Sequence, residues 1–238
     1  MTPEFFPENI NVISTKRYLD EKPKAFLNGF DSFNIADHVA DNSQKVFDNR
    51  KKLVRYYDLP SEPRYLNQIH SDKCLTFNSS ECEGDAIYSN RKNEVCAILT
   101  ADCLPIFITD TLGQEVAIIH AGWKGLLRGV IEQTIKFFDS KNLVAHFGPA
   151  ISQDSFEVGE EVRDQYISKD SIFKSAFKTI TGKQYLDLYH AAKLILNTFD
   201  IYKISGGDEC TFNQKDEYFS FRRDGKNSGR MVNLIWIS

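Results

Sequence analysis

Between residues 41 and 58 the apolar positions Val46, Leu53, Val54 and Tyr57 fall near one face of a helix. Asp41, followed three residues later by Gln44, resembles a capping box at its start, and Pro60 and Pro63 end it. The next apolar runs are short, rich in β-branched residues and bounded by Asp, Gly or Pro. They predict strands over residues 85–88, 95–100, 106–110 and 116–120. After Gly122 the period lengthens: Leu126, Leu127, Val130, Ile131 and Ile135 recur at helical spacing and predict one helix. A strand over 144–147 stops at Gly148-Pro149. Helices are expected over 160–167 and 188–199, and closing strands over 218–222 and 231–237. Strands and helices mix without a regular strand–helix–strand alternation, which predicts an α+β layered fold rather than a doubly wound sheet. No repeat, low-complexity tract or flexible linker interrupts the chain, so residues 1–238 read as a single domain.

Composition narrows the function classes. Hydrophobic residues make up 42% and charged residues 26%, which suits a globular chain and excludes a largely disordered one. A net charge of −4 without a lysine/arginine tract gives no electrostatic footprint for nucleic acid. The opening MTPEFFPENI has no basic region leading into an apolar core, so it does not read as a signal peptide. The most apolar stretch, residues 96–109, is broken by Asp102 and too short to span a bilayer, so no membrane partner is expected. Five cysteines, odd in number and without a CxxC pair, argue against a disulfide scaffold and for a reducing cytoplasm.

Three strings combine a candidate ligand with the end of an apolar run: Asn67-Gln-Ile-His70, Thr100-Ala-Asp-Cys-Leu-Pro105 and His120-Ala-Gly-Trp-Lys-Gly125. Chain ends of strands are where functional side chains are commonly presented. Two neutral imidazoles and one thiolate, from His70, His120 and Cys103, suit a borderline-soft ion such as zinc, and three protein ligands leave a fourth position open for catalysis. On the residues alone the alternative stays open: an inert core thiol and two hydrogen-bonded histidines. Gly122 and Gly125 suit a tight strand-to-helix turn with close backbone approach.

The strings TADCLP, HAGWKG, GPAI followed by FEVG, CTF, and FSFRRDG followed by SGR occur in the order that resembles the YfiH-like family. That family is described both as polyphenol oxidase or laccase and as purine nucleoside phosphorylase. The resemblance runs from Asn34-Ile-Ala-Asp-His38 to Met231-Val-Asn-Leu-Ile-Trp236, nearly the whole chain. It implies a layered α/β/β/α fold with mixed sheets, similar to the catalytic domain of cytotoxic necrotizing factor toxins. It also implies a zinc site at His70, Cys103 and His120. The implied activity is phosphorolysis of adenosine, inosine and guanosine, with methylthioadenosine as a further candidate, and adenosine deamination beside it. Small-molecule purine nucleosides and phosphate would be the partners. Two departures stand out. Many members carry a Pro-Cys pair where this chain has Ser152-Gln-Asp-Ser155, and the Asn of the family's helix is replaced in Asp187-Leu188…Ala191-Ala192. Both concern substrate contact more than the metal.

Around this expected site, Cys103, His120 and Asp102 are the candidate catalytic residues, Asp102 as an acid/base or a support for the ligand beside it. Alternation along a strand would equally turn Asp102 away from Cys103. Arg222, Arg223 and Arg230 are candidates for phosphate binding through forked hydrogen bonds, with a salt-bridged turn as the alternative. Trp123 could stack on a purine or pack in the core. Asn34, His38 and Arg50, from the N-terminal pattern, could line the site. The usual deaminase signature is absent: none of the five histidines has Glu two residues later. Three other readings compete. Copper could substitute for zinc and give polyphenol oxidase activity, although five histidines are too few for a multicopper mechanism. A Cys103–His120 hydrolase could act on a peptidoglycan precursor. A regulatory module could bind purines without turnover.

Overall fold

The computed structural model describes residues 3–23, 29–30 and 33–238. In chain order its elements begin with β1 (Ile10–Ser14), α1 (Ser43–Tyr56), β2 (Cys74–Thr76), β3 (Ala86–Ser89), β4 (Cys96–Thr100) and β5 (Leu104–Asp110). Then come β6 (Val116–Ala121), α2 (Trp123–Arg128), α3 (Val130–Ile135), β7 (Leu143–Phe147), β8 (Glu157–Val158) and α4 (Glu160–Lys169). The last are β9 (Phe177–Ile180), β10 (Lys183–Leu186), α5 (Leu188–Asn197), β11 (Ile204–Gly206), α6 (Phe221–Asp224) and β12 (Met231–Ile237).

Two sheets stack at the centre. The smaller is antiparallel in the order β1-β12-β4, and the larger has the order β11-β7-β5-β6-β3-β2, with parallel pairs at its two edges and antiparallel pairs between. A third, short sheet, β8-β10-β9, lies apart from them in the pairing. Side-chain alternation assigns the layers. Val232, Leu234 and Trp236 of β12 pack with Leu53 of α1 and Ile35, whereas Ile235 and Ile237 join Ile10, Ile98, Phe107 and Ile118 between the sheets. On β6, Ala117, Ile119 and Ala121 face Leu126, Val130 and Ile131 of α2 and α3, leaving Ile118 to the inter-sheet layer. The result is α/β/β/α, as expected, with the larger sheet mixed and the smaller one antiparallel. Every residue of β4, β5, β6 and β12 is buried, which is why these strands read as unbroken apolar runs rather than as alternating ones.

The structure departs from the sequence reading in three places. The cap of α1 is Asn42, whose side chain accepts from the Lys45 N–H at 3.1 Å. Asp41 turns instead to the Asn34 amide at 3.0 Å. The single helix expected after Gly122 breaks at Gly129, where φ is +102°, a conformation glycine adopts without the Cβ clash, so α2 ends and α3 begins there. Residues 218–222 are not a strand. The Ser220 hydroxyl accepts from the Arg223 N–H at 3.2 Å and starts α6, while the Arg222 N–H donates to the Asp102 carboxylate at 2.6 Å instead of to a neighbouring strand. Among the described residues no helix is long and apolar enough to cross a membrane.

Candidate metal centre

His120 lies on β6 with the parity of Ile118, so it points into the layer between the sheets, near the strand's end. Cys103 sits on the turn that joins β4 to β5, just after Asp102, whose φ is +92°. His70 lies on the loop before β2, itself left-handed with φ +59°. One ring nitrogen of each histidine and the Cys103 sulfur lie within 4.8 Å of one another. Cys103 Sγ is 3.7 Å from His70 Nε2. Two donors bound to one tetrahedral zinc at bond lengths of about 2.0–2.3 Å stand roughly 3.5 Å apart, so the spacing fits such an ion. The donor set of two imidazoles and a thiol fits it chemically as well.

Three further side chains hold this arrangement. Asp85, fully buried just before β3, accepts from the backbone N–H groups of Ile69, His70 and Ser71 at 3.3, 3.0 and 2.6 Å, and from the Ser71 hydroxyl at 2.7 Å. Its Oδ1 also lies 2.8 Å from His120 Nδ1. The Gln68 side chain bridges to both the N–H and the carbonyl of Leu99, at 2.7 and 2.8 Å, joining the His70 loop to β4. Arg128 donates to the His70 carbonyl at 2.8 Å. Gly122 and Gly125 permit the close approach expected of them. A Cβ on Gly125 would lie 3.2 Å from the Ser71 carbonyl oxygen, and one on Gly122 would lie 2.9 Å from His70 Cδ2.

The electrostatics favour charge separation within the cluster. Burial disfavours a thiolate at Cys103, yet the His120 imidazole, with His70, pulls the thiol down to about 6. Burial likewise opposes a cation at His120, but Cys103 and then Asp85 raise it to about 9. Asp85, opposed by burial and favoured by His120 and Ser71, is held down to about 2. A lowered pKa favours the thiolate, which is the form that binds metal or attacks an electrophile.

The cluster opens onto a cleft of about 390 Å³. Trp123, Ile151, Phe156 and Leu188 line it from the side of the larger sheet's helices, and Leu99, Ala101, Phe221 and His38 also border it. Arg222 and Arg230 reach it, each over an aromatic ring. Arg222 stands 5.1 Å from the Phe156 centroid and donates to the Glu157 carbonyl at 2.9 Å. Arg230 stands 5.6 Å from the Phe221 centroid and donates to the Ser228 and Gly229 carbonyls at 2.6 and 2.9 Å. Arg223 is not brought to the cleft lining: its guanidinium donates to the Thr211, Phe212 and Tyr218 carbonyls and pairs with Asp224. Asp102 borders the cleft, but its two carboxylate oxygens accept from the Thr211 hydroxyl at 2.7 Å and the Arg222 N–H at 2.6 Å.

Asn34 stands behind this wall, fully buried, its side-chain oxygen accepting from the Arg230 N–H at 2.9 Å. Arg50 is turned to the Ile35 carbonyl and Asp37. His146 pairs with Ser205 and His190 with Ser175, so among the described residues only His70 and His120 of the histidines join the cluster. Sequence reasoning missed Asp85, Gln68, Phe156 and Phe221. Asp85 and Gln68 stood in recognisable places, at the start of an expected strand and two residues before His70, but nothing in a linear pattern says which backbone they meet.

Comparison with known proteins sets this geometry in a family. A family model described as multi-copper polyphenol oxidoreductase laccase matches residues 21–238. A Haemophilus influenzae protein named purine nucleoside phosphorylase is 42% identical over 238 residues, covering 97% of this chain and 96% of its own. An Escherichia coli protein named purine nucleoside phosphorylase YfiH is 40% identical over 213 residues, 87% of each chain. A Neisseria meningitidis crystal structure assigned to family DUF152 superposes with a TM-score of 0.90 at 37% identity, over 100% of this chain and 98% of the other. The Bacillus licheniformis protein YfiH superposes with a TM-score of 0.84 at 25% identity, over 96% and 93%. With this identity and this fold maintained over nearly its full length, the chain belongs to the YfiH family of laccase-like domains.

Proposed function

We propose that the protein is a zinc-dependent purine nucleoside phosphorylase that acts on adenosine, inosine and guanosine and deaminates adenosine as a related reaction. One observation carries the reading: His70, Cys103 and His120 converge at the floor of a largely apolar cleft whose walls also present Arg222 and Arg230. The names of the relatives from H. influenzae and E. coli support it. His70, Cys103 and His120 would hold the metal, which when bound supplies a Lewis acid and an open coordination position.

The remaining chemistry belongs to the chain. In phosphorolysis a phosphate oxygen bonds to the ribose C1′, the bond from C1′ to the base nitrogen breaks, and its electron pair leaves with the base, which takes up a proton. Arg222 and Arg230 bind the phosphate by charge-assisted hydrogen bonds. Trp123 faces the purine, and the apolar residues around it exclude water that would compete with phosphate. Asp102 works through Arg222, whose backbone it fixes, so it positions the arginine rather than moving a proton. In deamination water adds to the purine carbon that bears the amino group, and ammonia leaves. Five cysteines without a disulfide, Cys103 of the cluster among them, suit a cytoplasmic enzyme.

The laccase description fits less well. Oxygen reduction by several coppers needs a histidine-rich cluster, and among the described residues two histidines converge here while His146 and His190 are engaged elsewhere. Copper in place of zinc would still bind, and tightly. A Cys–His hydrolase acting on a peptidoglycan precursor is the second reading, favoured by the depressed Cys103 thiol beside two imidazoles. The deciding experiment incubates the protein with adenosine or inosine, with and without phosphate, and identifies products by mass. Free base with ribose 1-phosphate, formed only with phosphate and lost on chelation, supports the proposal. Base release without phosphate, or activity that survives chelation and dies with iodoacetamide, refutes it.

A further inference from the structure

Three consecutive backbone N–H groups, of Ile69, His70 and Ser71, converge on the Asp85 carboxylate, with His70 in the left-handed conformation at φ +59°. Successive N–H groups around a left-handed residue form a concavity that binds an anion. Here the anion is part of the protein. A non-glycine residue in that conformation is strained and persists only where its surroundings hold it. The hydrogen bonds to Asp85 provide that hold, and the Ser71 hydroxyl adds another at 2.7 Å.

The same carboxylate serves a second segment. Its Oδ1, which accepts the His70 N–H, is also 2.8 Å from His120 Nδ1, and the Asp85 carbonyl accepts the His120 N–H at 2.7 Å. With Nδ1 bonded to a carboxylate, the His120 proton is placed there and the lone pair is left on Nε2. Two ligands that lie 50 positions apart in the chain are thus set by one buried side chain.

We propose that Asp85 is a positioning residue for both histidine ligands at once: it forms the turn that presents His70 and fixes the ring of His120. The inference rests on the metal reading above. It goes further by predicting that the loss of one carboxylate weakens the site along two independent routes.

A double-mutant cycle with zinc, read by competition with a chromophoric chelator, tests it. Asp85→Asn in the otherwise native protein is expected to lower zinc affinity about 10- to 100-fold. In the His120→Ala background the substitution can act only through His70, and in the His70→Ala background only through His120. The proposal requires a further loss of affinity, about 3-fold or more, in each background. No further loss in the His120→Ala background would overturn it, because Asp85 would then serve one ligand only.

Two measurements guard against a variant that merely misfolds. The cobalt(II)-substituted Asp85→Asn protein should keep the native far-UV circular dichroism while its thiolate-to-cobalt and d–d bands shift. In the unmutated zinc-loaded protein, ¹H–¹⁵N correlation spectra should find the His120 ring protonated on Nδ1, and a ring protonated on Nε2 overturns the assignment without any substitution. Absence of zinc binding by the native protein would sink the metal reading together with this one, whereas tight native binding with a flat cycle sinks this one alone.

Discussion

Gly122 faces Cys103 so closely that a Cβ added to it would stand 2.9 Å from the cysteine sulfur. Its φ is −74°, where any residue is comfortable, so the glycine is needed for space and not for backbone freedom. Gly122→Ala is therefore expected to keep the fold, with a melting temperature within a few degrees of the native one, while pushing Cys103 and His70 apart. Zinc affinity, read by chelator competition, should fall roughly 10-fold or more, as when support around a ligand is lost. Unchanged affinity would mean that the two side chains do not share an ion.

Cys103→Ala removes the only sulfur of the cluster and, with it, the group that raises the proton affinity of His120. Metal content measured on the freshly purified variant should drop from about one zinc per chain to a small fraction. Adenosine turnover should fall at least about 100-fold with circular dichroism unchanged. Full activity in this variant would refute both the ligand role and the hydrolase alternative.

Arg230 has its Nη1 committed to two carbonyls and its ring partner in Phe221, a setting that fixes the planar fork. Arg230→Lys keeps the charge but not the fork. Loss of a charge-assisted hydrogen bond of about 1.5–3 kcal/mol should raise the KM for phosphate roughly 10- to 100-fold, with the KM for inosine little changed. A selective rise in the inosine KM would move the phosphate elsewhere in the cleft.

His146 lies between Phe6 and Phe107 and meets Ser205 at 2.9 Å. Burial, opposed by Asp208, lowers its pKa to about 4, below the usual value near 6.5. Above pH 6.5 both folded and unfolded chains carry the ring neutral. Below it the unfolded chain binds the proton first, so stability falls as pH drops from 6.5 towards 4. Allowing for partial exposure, this group accounts for about 2 kcal/mol of that loss. Urea midpoints from pH 7.5 to 4.5 should show a shallower decline in His146→Gln, and parallel curves for the two proteins would refute the assignment.

The legible parts of the fold were those where burial dictates residue type. β4, β5, β6 and β12 are covered on both faces, so their apolar runs stand out, and the Asp187 cap of α5 accepts from the His190 N–H where a helix start was expected. Residues 218–222 misled because alternating aromatic and polar residues imitate a strand. The Ser220 cap of α6 and the pairing of the Arg222 N–H with Asp102, 120 positions away, decide against it. The converging residues His70, Cys103 and His120 were legible through their flanking strings. Asp85 was not, because a carboxylate at the start of a strand acquires its meaning from the loop folded onto it. Arg223 and Arg222 are adjacent and alike in chemistry, yet only the turn of α6 determines which of them reaches the cleft.

β12 is the middle strand of its sheet, hydrogen-bonded to β1 on one side and β4 on the other. β12 thus follows both of its pairing partners in the chain, and Arg230 comes immediately ahead of it. A chain released or cut before residue 231 would leave β1 and β4 with open edges and Arg230 without its seat. Such a fragment is expected to be unfolded or aggregation-prone, so that the sheet and the seat of Arg230 form together with β12 rather than by stages.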